Sequence, residues 1–316
     1  MSSQADIVET IVECSSQSKL PVWLSISCVI NDNTNKVMLG YNDTVDTDTN
    51  VYEDFETSMD NFSKIHQGPI LIAHSDIEVT GQAIKIAKNI YRLPTLGSFI
   101  NSYALINDDS SITLVDCGLK GSSKKLIKDL ARIGKHPNDV VNIVLTHAHD
   151  DHVGGAARMI KDCGVKNVMM HQEDSELPPT GKTPARDDSR LSGKIMKLLP
   201  ERSYEPFAIT KKLKDGEIIN TAGGLKVIHT PGHTAGHISL LHLESETLIT
   251  GDSIFNMTSR MTWALSGFCV NYKQSQDTAE KFLDLDFKNA CFTHGPEIRD
   301  SGKSRIKQFL SKKGIY

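Results

Sequence analysis

The chain has 316 residues, 39% apolar and 23% charged, which fits a globular protein with one large domain or two smaller ones. Lys and Arg number 35 against 39 Asp and Glu, a net charge of −4, so nothing suggests a nucleic-acid binder working through bulk charge. No run of 18 apolar residues marks a membrane span, and MSSQADIVETIVE lacks the basic and apolar regions of a secretory signal.

In chain order, residues 1–88 begin with a helical pattern over Ile7 to Cys14 and carry two apolar runs, Pro21 to Ile30 and Pro69 to Ala73. Between the runs, Asn42 to Asn61 holds seven Asp and Glu and no Lys or Arg, the composition of a solvated loop. From about Lys88 the rhythm changes. Short β-rich runs at Tyr103–Ile106, Ile112–Val115, Val141–Leu145, Lys166–Met170, Leu225–His229, Ile238–Leu243, Thr247–Thr250 and Ala290–Thr293 predict strands. Helical patterns over Ser122–Ile133, Val153–Asp162, Asp277–Leu283 and Gly302–Lys312 interleave with them, which predicts a layered α/β domain. The polar, Pro-containing stretch Glu173–Tyr204 reads as an insertion, helical around Leu191–Leu199. There Arg186, Arg190 and Lys194 are candidates to meet an anionic substrate under a lid. The six cysteines, Cys14, Cys28, Cys117, Cys163, Cys269 and Cys291, form no CxxC pair and read as reduced thiols of a cytoplasmic protein.

Twelve histidines carry more information than the thiols. The apolar run Val141–Leu145 ends in THAHDDHVGG, which crowds His147, His149, Asp151 and His152 into six residues. On an extended chain His147 and His149 point the same way and reach one ion. Asp151 and His152 follow where the chain turns into a helix, and reach a second ion beside the first. Imidazole and carboxylate donors without thiolate suit Zn²⁺, with Fe²⁺ or Mn²⁺ as alternatives. The same device recurs: strands end in HTPGHTAGH with His233, in TGDS with Asp252, and in CFTHG with His294.

With those motifs in that order, residues from about 88 to the end resemble the metallo-β-lactamase-fold hydrolase superfamily, in its glyoxalase II and lactonase-like branch. The resemblance implies an αββα four-layer sandwich at residues 89–316 behind an appended segment at 1–88. It implies that His147, His149 and His233 hold one metal ion, that Asp151, His152 and His294 hold another, and that Asp252 bridges them. Asp116 in LVDCG matches the first motif and takes a supporting role, as do His229 and His237 beside the third. A hydroxide bridging the ions would attack a small ester, thioester, lactone or phosphodiester, with Asp151 orienting it or moving a proton. Arg260, Trp263, Phe268 and Tyr272 follow the bridging Asp and are candidates for the substrate pocket.

Departures from family branches narrow the choice. Gly251-Asp252 argues against the Cys-ligand β-lactamases, and His149 stands where flavodiiron proteins carry Glu. The stretch from Asp252 to His294 is too short for the domain that RNA-processing members insert, and little chain follows His294 to form the helical domain of glyoxalase II. Persulfide dioxygenases share HxHxDH with a single iron, which leaves that oxidoreductase as an alternative. A non-catalytic binding protein built around the N-terminal segment is another. PVWLSISC and GPILIAHSDIEVTGQAI resemble fragments of the homocysteine S-methyltransferase barrel, without its Gly-Gly-Cys-Cys zinc segment. The expected partner is a small-molecule substrate, not nucleic acid or membrane, with a homodimer left open.

Overall fold

A computed structural model describes residues 83–186, 194, 202–257 and 260–315, and the backbone of three short strands nearer the N-terminus. The expected helix at Ile7 to Cys14, the acidic stretch Asn42 to Asn61, Arg190, and all of Leu191–Leu199 except Lys194 lie outside the described residues. The chain divides into two compact units, 1–80 and 81–316. In the first, β1 (Val29–Asn31) pairs antiparallel with β2 (Lys36–Met38), which pairs parallel with β3 (Leu71–Ile72).

The second unit is built on two sheets. Seven strands, β4 (Ile84–Ala87), β5 (Ile90–Leu96), β6 (Ile100–Ile106), β7 (Ile112–Val115), β8 (Val140–Leu145), β9 (Asn167–His171) and β10 (Lys211–Leu213), form the larger one in the order β10-β9-β8-β7-β6-β5-β4. The pairings from β4 to β7 are antiparallel and those from β7 to β10 parallel. A parallel step needs a crossover, and α-helices are described at the first two of the three. Between β7 and β8 runs α1 (Ser123–Arg132), which buries Leu126, Ile127 and Leu130 on one face. Between β8 and β9 run α2 (Asp150–Val153) and α3 (Ala156–Cys163). The central strand β7 is buried at every position, so it reads as an unbroken apolar run rather than an alternating one.

The smaller sheet has the order β11 (Ile218–Ile219), β12 (Leu225–His229), β13 (Ile238–His242), β14 (Thr247–Ile249) and β17 (Asn289–Cys291). Only the β14–β17 step is parallel. A β-ribbon of β15 (Ile254–Phe255) and β16 (Thr262–Trp263) lies between β14 and β17 in the chain. One apolar cluster joins the sheets face to face: Ile90, Tyr103, Leu105, Val115 and Val144 from the larger meet Leu225, Val227, Ile238, Leu240 and Ile249 from the smaller. A second cluster covers the smaller sheet's other face, with Leu248 and Phe292 against Phe282, Ile306, Phe309 and Leu310. The last three belong to α5 (Gly302–Lys312), which follows α4 (Tyr272–Thr278). Helices outside, two sheets within, the layers are those of the expected αββα sandwich. Cys117, Cys163, Cys269 and Cys291 are buried and form no disulfide among the described residues.

Strand ends bring the chemistry together. Asp116 follows β7, the HAHDDH segment follows β8, Asp174 lies just past β9, His233 follows β12, Asp252 follows β14 and His294 follows β17. These loops meet at one rim of the sandwich.

Candidate metal centre

Apolar β8 delivers Thr146 and His147 into the interior, and a buried carboxylate orders what comes next. Asp116 has a left-handed backbone (φ 58°), a strained conformation for a residue with a side chain. In return its carboxylate accepts from the Thr146 backbone N–H at 2.8 Å, the Thr146 hydroxyl at 2.8 Å and His152 Nδ1 at 2.9 Å. The last bond turns His152 Nε2 toward the rim, where it is buried with no hydrogen-bond partner. Burial acts against charge on His152, but the carboxylates of Asp252, Asp151 and Asp116 together push its pKa well up. A site with that negative field and an orphaned imidazole nitrogen is shaped for a cation.

The second loop is tied to the first by Asp174. This buried carboxylate accepts from Ala148 N (3.1 Å) in the HAHDDH segment, and from Thr234 Oγ1 (2.6 Å) and Gly236 N (2.7 Å) beside His233. Gly232 at φ +124° lets the loop lie against Ser275, where a Cβ would collide with backbone. His237 fixes the third ligand loop. Its Nδ1 donates to the Thr230 carbonyl at 3.0 Å and its Nε2 accepts from the Asp252 backbone N–H at 2.8 Å. Burial pushes its pKa down to about 3, so it keeps the neutral tautomer that both bonds require.

The donors then converge. His147 Nε2 and His149 Nδ1 are 3.0 Å apart, and His149 Nδ1 is 2.9 Å from His233 Nε2. The three rings stand near right angles to one another, at 82–88°. Tetrahedral ligands at zinc distances stand about 3.4 Å apart, so this triangle is close to a metal's donor set. Burial, the largest influence, pushes His147 and His149 well below the usual pKa, which keeps them in the neutral form that ligates. A second group holds Asp151, His152 and His294: Asp151 Oδ1 is 3.7 Å from His152 Nε2, and its Oδ2 is 3.5 Å from His294 Nε2. Asp252 stands between the groups. Its Oδ2 is 3.1 Å from His233 Nε2 and 3.3 Å from His294 Nε2, while its Oδ1 is 3.3 Å from His152 Nε2. The residues present therefore fit divalent cations.

A third grouping, His171, Glu173 and His229, does not fit as well. Its two rings stack at 3.9 Å and 17°. Lone pairs lie in the ring planes, so two nearly parallel rings do not aim at one point between them. His229 Nε2 is also engaged by the Ala235 carbonyl at 2.9 Å. His229 therefore supports the loop rather than the donor cluster, whereas His237 touches the Asp252 backbone directly.

Above the donors opens a cavity of about 260 Å³. Phe268 lines it, as do Arg186, Arg202, Leu96, Phe99 and Leu265. Trp263, Tyr272 and Arg260 do not. Trp263 packs at 4.7 Å on Phe309 in the outer cluster, and Tyr272 packs there too at the start of α4. Arg260 is exposed outside the cavity lining. Trp263 of the ribbon after Asp252 packs down onto α5 while Phe255 of the same ribbon lines the cavity, and proximity in sequence did not reveal which way each points. Leu96, Phe99 and Arg202, remote in sequence from every ligand, carried no local signal. Asp174, three residues beyond a strand-end His, carried a faint one.

The metallo-beta-lactamase superfamily model matches residues 96–294. The Bacillus subtilis protein YobT is 30% identical over 224 residues, 67% of this chain and 90% of that protein. The Haemophilus influenzae hydroxyacylglutathione hydrolase GloC is 28% identical over 168 residues, 53% of this chain and 72% of that one. The Thermus thermophilus metallo-beta-lactamase family protein TTHA1429 superposes with a TM-score of 0.55 at 23% identity, over 72% of this chain and 80% of its own. Sheets, rim and donors thus agree with the sequence match, and the chain belongs to the metallo-beta-lactamase superfamily as one of its metal-dependent hydrolases.

Proposed function

We propose that the chain is a dinuclear hydrolase, with His147, His149 and His233 holding one divalent cation and Asp151, His152 and His294 the other. The observation that carries this reading is Asp252, whose carboxylate lies 3.1–3.3 Å from donors of both groups. Zn²⁺ suits a set of imidazoles and carboxylates without thiolate, and Fe²⁺ or Mn²⁺ would be accommodated. Two such cations supply water ionised near neutral pH and polarise the scissile carbonyl or phosphoryl oxygen.

The protein's own groups do the rest. Asp116, Asp174 and His237 hold the donor loops in register. Asp151, partly exposed on the cavity wall, is placed to take a proton and deliver it to the leaving group. The substrate is a small ester, thioester, lactone or phosphodiester, and a relative named for hydroxyacylglutathione favours an acyl compound. The chemistry resides in the unit 81–316, which takes in β4 ahead of the boundary expected at 88, and the residues before it are an appended segment.

Elemental analysis of protein purified without added metal tests the reading. Two equivalents of divalent metal, with turnover in an ester, thioester, lactone and phosphodiester panel, are expected. A single iron with oxygen uptake on a persulfide would replace the hydrolase by a dioxygenase. In the same panel Asp151→Asn is expected to lower kcat by about 10²–10⁴-fold with the fold intact by circular dichroism.

A further inference from the structure

Four of the imidazoles at the rim turn Nε2 toward the donor cluster: His147, His152, His233 and His294. A neutral ring that ligates through Nε2 keeps its proton on Nδ1, and that buried N–H needs an acceptor behind it. For His147 the acceptor is Thr146 Oγ1 at 3.0 Å, a hydroxyl that itself donates to Asp116. For His152 it is the Asp116 carboxylate at 2.9 Å, and for His294 the Phe99 carbonyl at 2.6 Å. His233 differs. The group beside its Nδ1 is the Cys269 sulfur, at 3.5 Å, and both residues are buried.

Cys269 sits on a short piece of chain that touches the centre and the cavity at once. Its thiol donates to the Leu265 carbonyl at 3.6 Å, which leaves a sulfur lone pair for the His233 ring. One residue on, Val270 N donates to the His233 carbonyl at 3.0 Å, and Asn271 N donates to the Gly232 carbonyl at 2.8 Å. Asn271 then caps α4, whose Thr278 hydroxyl donates to the Pro231 carbonyl at 2.9 Å. Leu265 and Phe268, from the same piece, line the cavity. The bonds to the carbonyls of residues 231–233 fix the loop and leave the His233 ring free to rotate. The polar contact that sets its rotation from behind is the sulfur's.

We propose that Cys269 is the positioning residue for His233: its sulfur accepts the Nδ1–H and turns Nε2 toward the cation shared with His147 and His149. The inference rests on the reading that those three residues hold a cation, and extends it to the group behind the third donor. A thiol sulfur is a weak, uncharged acceptor. It therefore fixes the tautomer and direction of the ring without the negative charge that Asp116 places behind His152. The cysteine serves the centre from the far side of an imidazole and is not itself a ligand.

Two readouts on the full-length, Zn²⁺-loaded chain test it without turnover. In NMR spectra of protein carrying ¹⁵N-histidine, Cys269→Ala should shift or remove one imidazole N–H signal and leave those backed by Thr146, Asp116 and Phe99 in place. In competition with a chromophoric chelator, the same variant should weaken one cation by about 10–100-fold and leave the other nearly unchanged. Cys269→Ser keeps the shape and an acceptor, so it should recover part of the affinity while moving the same N–H signal. Cys163→Ala removes an equal group from buried surroundings on α3 and should change neither readout. Should Cys269→Ala fail to fold, the N–H signal in Cys269→Ser decides the matter. Unaltered N–H signals, both cations weakened alike, or an equal effect of Cys163→Ala would overturn the proposal. Two cations and turnover that survive Cys269→Ala unweakened defeat the positioning role and spare the hydrolase. Selective loss of one cation in a protein that hydrolyses nothing in the panel defeats the reaction and spares the positioning role. A chain that takes up no Zn²⁺ defeats both.

Discussion

Asp174 shows how a residue that touches no substrate can govern the centre. Its carboxylate gathers three donors from two ligand loops in the interior, and a buried donor left without an acceptor costs about 1–3 kcal/mol. Asp174→Ala should therefore destabilise the fold by about that amount in urea titrations and weaken metal binding, as read by competition with a chromophoric chelator. His171 makes a second residue-scale prediction. Burial, helped by the neighbouring His229 and Lys281 and opposed by Glu173 and Asp215, pushes its pKa down to about 4. The fold thus prefers neutral His171, and unfolded chains bind more protons between about pH 4 and 6.5. Its contribution is fully present above about pH 6.5 and is lost as pH falls toward 4. His171→Phe, which keeps the stack on His229, should flatten the decline in urea-midpoint stability over that window.

At the scale of elements, the loop after β17 must carry His294 to the rim, and an ion pair beneath it secures the approach. Arg92 on β5 donates from Nε to Glu297 Oε2 at 2.8 Å and from Nη1 to Asn101 Oδ1 at 3.1 Å. Asn101 Nδ2 in turn donates to the carbonyls of Phe292 (3.0 Å) and Gly295 (2.8 Å), the residues that bracket Thr293 and His294. Both charged side chains are under a tenth exposed, so removing one leaves the other buried without its partner. Glu297→Leu should cost about 3–5 kcal/mol in equilibrium unfolding. It should also weaken the second equivalent of metal more than the first, because only His294 of the donors rides on this loop. The strands that build the rim were readable from their apolar runs, because burial on both faces leaves a continuous hydrophobic signature. The break between α2 and α3 and the partition of the last crossover into α4 and a 3-10 turn were not. The first break falls at Gly154 and Gly155, where backbone of residues 117–120 comes too close for a Cβ, an approach that only the fold brings about.

For the whole molecule, the centre is held by six loops from two sheets, so bound metal is linked to global stability. Stripping the metal with a chelator such as EDTA should lower Tm, and adding back Zn²⁺ should restore it in proportion to the logarithm of free metal. A midpoint indifferent to chelation would mean that the donors are held without the ion. Ligand identities were legible in the one-dimensional chain because coordination chemistry is local in type and each ligand sits at a strand end: HAHDDH, GHTAGH, TGDS and FTHG announce themselves wherever they occur. Which donors face which could be decided only by folding. Asp252 stands between two groups because β14 and β17 run parallel side by side at the rim reached by β8 and β12. Specificity depended on the fold still more. Leu96, Phe99 and Arg202 join the sequence candidates Arg186 and Phe268 from distant parts of the chain, and those three leave no pattern along the sequence because packing depends on distance in space.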